Sequence, residues 1–157
     1  MIKINVIAVG KVKEKYFADG INEYAKRLFR FCDFKITEIA EENYSKADAG
    51  LIEVIKQKEG ERILANLKGY VFVMAIEGCK FSSESFAKTI KTLTDKGEGV
   101  ITFVIGGSYG VADSVKRRAD KLISFSDMTF PHTLFRLMLT EQIYRAFAIN
   151  DGSPYHK

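Results

Sequence analysis

Two rhythms of apolar residues alternate along the chain. Residues 2–9, 34–39, 70–76, 100–105 and 121–125 are short runs rich in β-branched and aromatic side chains, which predicts strands. The runs 71–76 and 100–105 are continuously apolar, as strands covered on both faces should be. Between the runs the period changes. Tyr16, Phe17, Ile21, Tyr24, Ala25 and Leu28 recur at helical spacing within 14–29. Residues 51–67 predict a charge-rich helix with Gly60 as a weak point and Gly69 as a stop. Ser82 or Ser83 can cap a helix to about residue 93. Residues 113–119 predict a short helix. Pro131 suits the first position of a long one to about residue 150. Residues 41–49 are polar and predict a loop. Five strands alternating with five helices predict an α/β fold, a mostly parallel sheet with helices on both faces.

The 157 residues fit one domain spanning 1–157, since two halves would each have too small a core. Apolar residues at 46% and charged residues at 28% belong to a globular chain rather than a disordered one. No apolar run approaches the ~20 residues of a membrane span, and Met1 leads straight into a strand pattern. The expectation is a cytoplasmic protein with no membrane partner. Cys32 and Cys79 lie far apart with no His beside either. They predict buried or half-buried free thiols and no metal site. A net charge of +4 favours an anionic partner without identifying it. Lys11, Lys13, Lys15 and Arg30 are candidates for a basic face.

Candidate chemistry gathers where strands end, because open α/β sheets bind ligands at the carboxyl ends of their strands. Three such ends carry signals. One leads into Glu77-Gly78, one into Gly106-Gly107-Ser108-Tyr109-Gly110, and one into Ser126-Asp127-Met128-Thr129-Phe130-Pro131-His132. Glycines after a buried strand let the backbone turn sharply and present N–H groups to a ligand. A plain tight turn is the simpler alternative. A dinucleotide site is disfavoured, because G-G-x-x-G lacks the spacing of GxGxxG and comes late in the chain. The 125–131 loop can offer backbone groups to a purine beside the apolar Met128 and Phe130; a packed connection is its plainer reading. The last helix is apolar over most of its circumference, more than one sheet face needs, which predicts a self-interface. It carries His132 with Arg136, and Glu141 with Arg145, each pair four residues apart. The terminal Tyr155-His156-Lys157 would by itself be a frayed end.

Taken in order, these segments resemble one family. They are residues 104–110, Leu122-Ile123-Ser124-Phe125-Ser126, Met128-Thr129-Phe130-Pro131-His132, Arg136, residues 141–146 and the terminal Tyr155-His156-Lys157. Ile7-Ala8-Val9-Gly10-Lys11 and Lys58-Glu59-Gly60 extend the resemblance to the whole chain. The family is the SPOUT-class methyltransferases that modify a pseudouridine at N3 in a hairpin of bacterial 23S ribosomal RNA. The resemblance implies a SPOUT fold with a C-terminal deep trefoil knot. It implies S-adenosylmethionine as methyl donor and no metal. It also implies a homodimer, with the RNA target entering between protomers on the ribosome. Matching motifs place the donor on Met74, Gly106, Phe125, Ser126, Asp127, Met128, Thr129 and Phe130, with Met74 standing where the family commonly has leucine.

Methyl transfer requires in-line approach of N3 to the sulfonium methyl and loss of the N3 proton. His156 is the candidate base or relay. Arg136 and Arg145 are candidates to stabilise charge on the uracil carbonyls or to grip phosphate, and Tyr155 to stack on or bond to the flipped base. Two other classes stay open at this stage, a non-enzymatic RNA- or ribosome-binding protein and a nucleotide-binding oxidoreductase.

Overall fold

The computed structural model describes all residues from Met1 to Lys157. In chain order the elements are β1 (Lys3–Val9), α1 (Lys15–Leu28), β2 (Asp33–Ile39), α2 (Ala49–Leu64) and β3 (Tyr70–Lys80). They continue with α3 (Ser83–Asp95), β4 (Val100–Ile105), α4 (Asp113–Arg118), β5 (Lys121–Ser124) and α5 (His132–Asn150). All ten expected elements are present. The five strands form one sheet in the order β2-β1-β4-β3-β5, every pairing parallel.

The continuous apolar runs occupy the interior of that sheet. In β1, Ile4, Val6 and Ala8 point to one face and Ile7 and Val9 to the other, the period-two alternation of a strand. One face packs against α1, α3 and α5 through Leu28, Phe86, Ile90, Leu139 and Ile143. The opposite face packs against α2 and α4 through Ile63 and Val115. Both faces are therefore covered, as the sequence predicts.

The differences lie at element ends. Asp48 caps α2, its Oδ1 accepting the Leu51 N–H at 2.8 Å, so the helix starts at Ala49 and ends at Leu64, before the expected residue 67. Pro131 stands as the N-cap of α5 rather than its first residue. The strand expected over 70–76 runs on to Lys80, with a register break against β5 between Met74 and Cys79. That bulge re-aims the strand end and leaves Ile76 half exposed beside the open ends of β4 and β5. Cys32 is buried, and burial beside Asp33 pushes its thiol up to about 12. Cys79 is exposed, correcting the expectation of two sheltered thiols; its strand extension lies beyond the apolar run. No helix is long and apolar enough to cross a membrane.

Candidate active site

The carboxyl ends of β3, β4 and β5 open into a cavity of about 680 Å³, within the range of small-molecule sites. Met74 comes from β3, and Gly106, Gly107, Ser108 and Gly110 from the turn after β4. Phe125, Ser126, Met128, Thr129 and Phe130 come from the loop after β5. Seven of the eight motif-matched positions thus line one cavity. Asp127 does not line it: its side chain is exposed and pairs with Lys80 Nζ at 2.7 Å. The loop is braced locally. The Ser124 hydroxyl donates to the Ser126 carbonyl at 3.0 Å, and Ser126 Oγ accepts the Met128 N–H at 3.1 Å. The Phe125 ring packs on Phe135 with centroids 4.8 Å apart.

Two charged members of this cavity lie outside the motif-matched positions. Lys116 on α4 lines it together with Glu77, and the pair is joined at 2.6 Å. The Lys116 ammonium holds the Glu77 carboxyl below the usual carboxylate range. Glu77 sits at a strand end already singled out. Nothing in the charged run 116–118 signals that one of its side chains faces a cavity. His132 also lines the wall.

The four candidate catalytic residues divide into two places. Arg145, Tyr155 and His156 form one cluster with Glu141. The Glu141 carboxylate accepts from Arg145 Nη2 at 2.6 Å and from the Tyr155 hydroxyl at 2.9 Å. Arg145 Nη1 lies 3.0 Å from His156 Nδ1, and His156 Nε2 lies 2.7 Å from Glu84 Oε1. A guanidinium only donates, so Nδ1 accepts here and the ring proton sits on Nε2, toward Glu84. The Arg145 guanidinium also covers the Tyr155 ring at 4.8 Å. Burial, followed by the bonds to Tyr24 and Glu141, pushes the Tyr155 phenol upward, so it stays a neutral donor. The His156 bond leads the causes that hold the Glu84 carboxyl low. The terminus is thus docked rather than frayed.

Arg136 is elsewhere. It is buried, donating to Glu38 Oε2 at 2.7 Å and to the Gly10 carbonyl at 3.0 Å, while its Nε has no partner. Nine residues at about 100° each put Arg145 half a turn round α5 from Arg136, so the two guanidiniums leave opposite sides of one helix. None of the four candidates lines the 680 Å³ cavity. A second cavity of about 520 Å³ adjoins it, lined by Tyr24, Phe81, Met138, Glu141 and Gln142 among others. The two cavities share Ile123 and Phe125, so the Phe125 ring is a wall between the glycine-turn side and the tail side.

Of the basic-face candidates, Lys15 pairs with Asp19 and Arg30 with Asp151; Lys11 and Lys13 are exposed. No group of three or more His, Cys, Asp or Glu side chains is placed to hold a metal ion.

The family model described as "Predicted SPOUT methyltransferase" matches residues 2–156. The protein of Levilactobacillus brevis called "Ribosomal RNA large subunit methyltransferase H" is 56% identical, across 99% of this chain and all of its own length. Its namesake in Latilactobacillus sakei is 54% identical with the same coverage, and that of Streptococcus uberis 52%. Among solved structures, a probable methyltransferase from Bordetella pertussis superposes with a TM-score of 0.55 at 12% identity, covering 93% of this chain and 95% of its own. A probable methylase family protein from Haemophilus influenzae gives 0.52 at 11% identity, covering 99% of this chain and 70% of its own. Those two likenesses concern the fold alone. The full-length sequence matches go further: the chain is a methyltransferase and belongs to the SPOUT methyltransferase family.

Proposed function

We propose that this enzyme transfers a methyl group from S-adenosylmethionine to N3 of a pseudouridine in a hairpin of 23S ribosomal RNA, on the assembled ribosome. The observation that carries the reading is the cavity itself, where seven of the eight expected donor positions converge at the carboxyl ends of β3–β5. The relatives named for large-subunit ribosomal RNA support the substrate class, and a ribosomal target places the work in the cytoplasm. The same reading includes a deep trefoil knot in the C-terminal part and a homodimer. Exposed Tyr16 and Phe29 on and just after α1 supply apolar surface for such an interface.

The cavity fits the donor. Met74, Phe125 and Phe130 offer apolar walls for an adenine, and Ser108 offers a backbone N–H group that meets no backbone carbonyl. When bound, the donor supplies a methyl group on a positively charged sulfur. The protein's task is then to place N3 in line with that methyl and to remove the N3 proton. His156 receives the proton on Nδ1 once the Arg145 contact there opens. Arg145 is then free to stabilise the charge gathering on the uracil carbonyls, and Tyr155 stacks on the flipped base. Arg136 contributes from its own site, through phosphate or by fixing α5 against Gly10. In this reading the target enters between protomers, because the tail cluster lines none of its own chain's donor cavity.

Truncation before Tyr155 tests the division of labour. The shortened protein should bind S-adenosylmethionine like the full chain in titration calorimetry and lose turnover on ribosomes. Unchanged turnover overturns the tail assignment. Failure of the full chain to bind the donor overturns the reading as a whole and favours a ribosome-binding role without chemistry.

A further inference from the structure

Glu59 on α2 is a buried acid for which the mechanism above has no use. It is 4% exposed. Its Oε2 accepts the Glu42 N–H at 3.0 Å, and its Oε1 has no partner. Burial, with Glu41 and Glu42 nearby, pushes this carboxyl above its ordinary value against the pull of the Glu42 N–H and Arg62. A buried carboxylate with a free oxygen is costly. At the other inward positions of the helix the chain places Ile55 and Ile63, which carry no such cost. Stability therefore does not explain an acid at 59.

Its position does. A Cβ at Gly107 would stand 3.0 Å from Glu59 Oε1 and 3.5 Å from Oε2, so the carboxylate lies directly against the glycine turn that lines the donor cavity. The next residue, Gly60, brings α2 close to the segment after the turn, where a Cβ would meet Cβ of Ala112, the N-cap of α4, at 3.0 Å. Two consecutive residues of one helix thus touch the turn and the start of α4 that follows it. Within it, Gly110 N–H donates to the Gly107 carbonyl at 3.0 Å and the two glycines face each other as an antiparallel bridge, whereas the N–H groups of Ser108 and Tyr109 donate to no backbone carbonyl. A buried acceptor without a donor thus lies against a turn that still has free N–H groups.

We propose that Glu59 is a positioning residue for the methyl donor: as the cavity fills, its free oxygen accepts the N–H of Ser108 or Tyr109 and locks the turn in its donor-gripping shape. The Glu42 N–H bond anchors the other end of the carboxylate. The proposal rests on the donor reading above.

The test uses the full chain and Glu59→Leu and Glu59→Gln variants. Thermal melts, calorimetric titration with S-adenosylmethionine and steady-state kinetics on ribosomes are measured for each. Glu59→Leu should melt no lower than wild type, since it removes a buried, half-satisfied acid. It should nevertheless bind the donor about tenfold or more weakly, the worth of one hydrogen bond to a charged acceptor. The donor KM should rise by the same factor while kcat stays within about twofold. Glu59→Gln keeps the shape but has one acceptor oxygen for two donors, and should also lose affinity. Both variants binding the donor within about twofold of wild type overturns the proposal. So does a Leu variant whose melting point, kcat and affinity all fall together while the Gln variant behaves as wild type, the signature of packing alone. Wild-type protein that binds no S-adenosylmethionine overturns the donor reading itself.

Discussion

Gly106 and Gly110 both belong to the turn that lines the 680 Å³ cavity, and they should fail for opposite reasons when replaced. At Gly106 the backbone is ordinary but there is no room. A Cβ would stand 2.7 Å from Val111 Cγ1, 2.9 Å from the Gly110 carbonyl carbon and 3.0 Å from its oxygen. Val111 is buried and cannot swing aside, and the other two atoms are backbone. Overpacking of this kind costs about 1–3 kcal/mol. For a chain of this size that is a fall in melting temperature of about 2–12 °C. The segment that must move is the cavity wall, so donor affinity should drop with stability. At Gly110 the reverse holds: nothing lies within 4 Å of a Cβ, but φ is +82°. Alanine there pays strain of about 1–2 kcal/mol, and asparagine, which tolerates positive φ better, pays less. Melting curves and calorimetric titrations of Ala and Asn variants at both positions give the readout. Asn should outperform Ala at 110, and Ala should outperform Asn at 106. The same order at both positions, or a Gly106→Ala protein with wild-type melting and affinity, refutes the reasoning.

Three further outcomes follow from the same contacts. The folded-state carboxyl of Glu59 titrates above its unfolded value, so its contribution to stability is present below the unfolded value and is lost as pH rises through the folded one. The melting temperature of Glu59→Gln should therefore gain on wild type as pH rises from about 4 to about 8; a constant gap contradicts this. Arg136→Met should lower stability by about 1–3 kcal/mol, because the Gly10 carbonyl loses its charged donor while the exposed Glu38 regains water. Donor affinity should stay within about twofold, since Arg136 does not line the cavity; a larger loss measured by calorimetry goes against this placement. A thiol reagent should label one cysteine of the native protein, Cys79, and reach buried Cys32 only on unfolding; mass mapping of the labelled peptide decides.

The layered fold was legible because its signal is local. Continuous apolar runs mark β3 and β4, and the switch to helical spacing marks the covering helices. The extension of β3 through Glu77-Gly78-Cys79-Lys80 was not legible, because its pairing partner, β5, lies more than forty positions along the chain and the pairing crosses a bulge. Motif order brought seven of its eight positions to one cavity but could not tell that Asp127 turns outward to Lys80. It grouped Arg136 with Arg145, although nine helical residues separate them by half a turn, which arithmetic on the sequence alone could have shown. Lys116 and Glu59 remained hidden because their placement at the cavity and its turn depends on which side of a helix faces the turn after β4, and only the packing of α2 and α4 sets that.

The central claim is methyl transfer to one pseudouridine of large-subunit RNA. Mass mapping of 23S rRNA from a strain lacking this gene, before and after adding the purified protein and S-adenosylmethionine to its ribosomes, tests it directly. The account predicts that one methyl group appears, on N3 of a single pseudouridine in a hairpin, and only when both protein and donor are present. Ribosomes that gain no methyl group, or gain it on another base, contradict it.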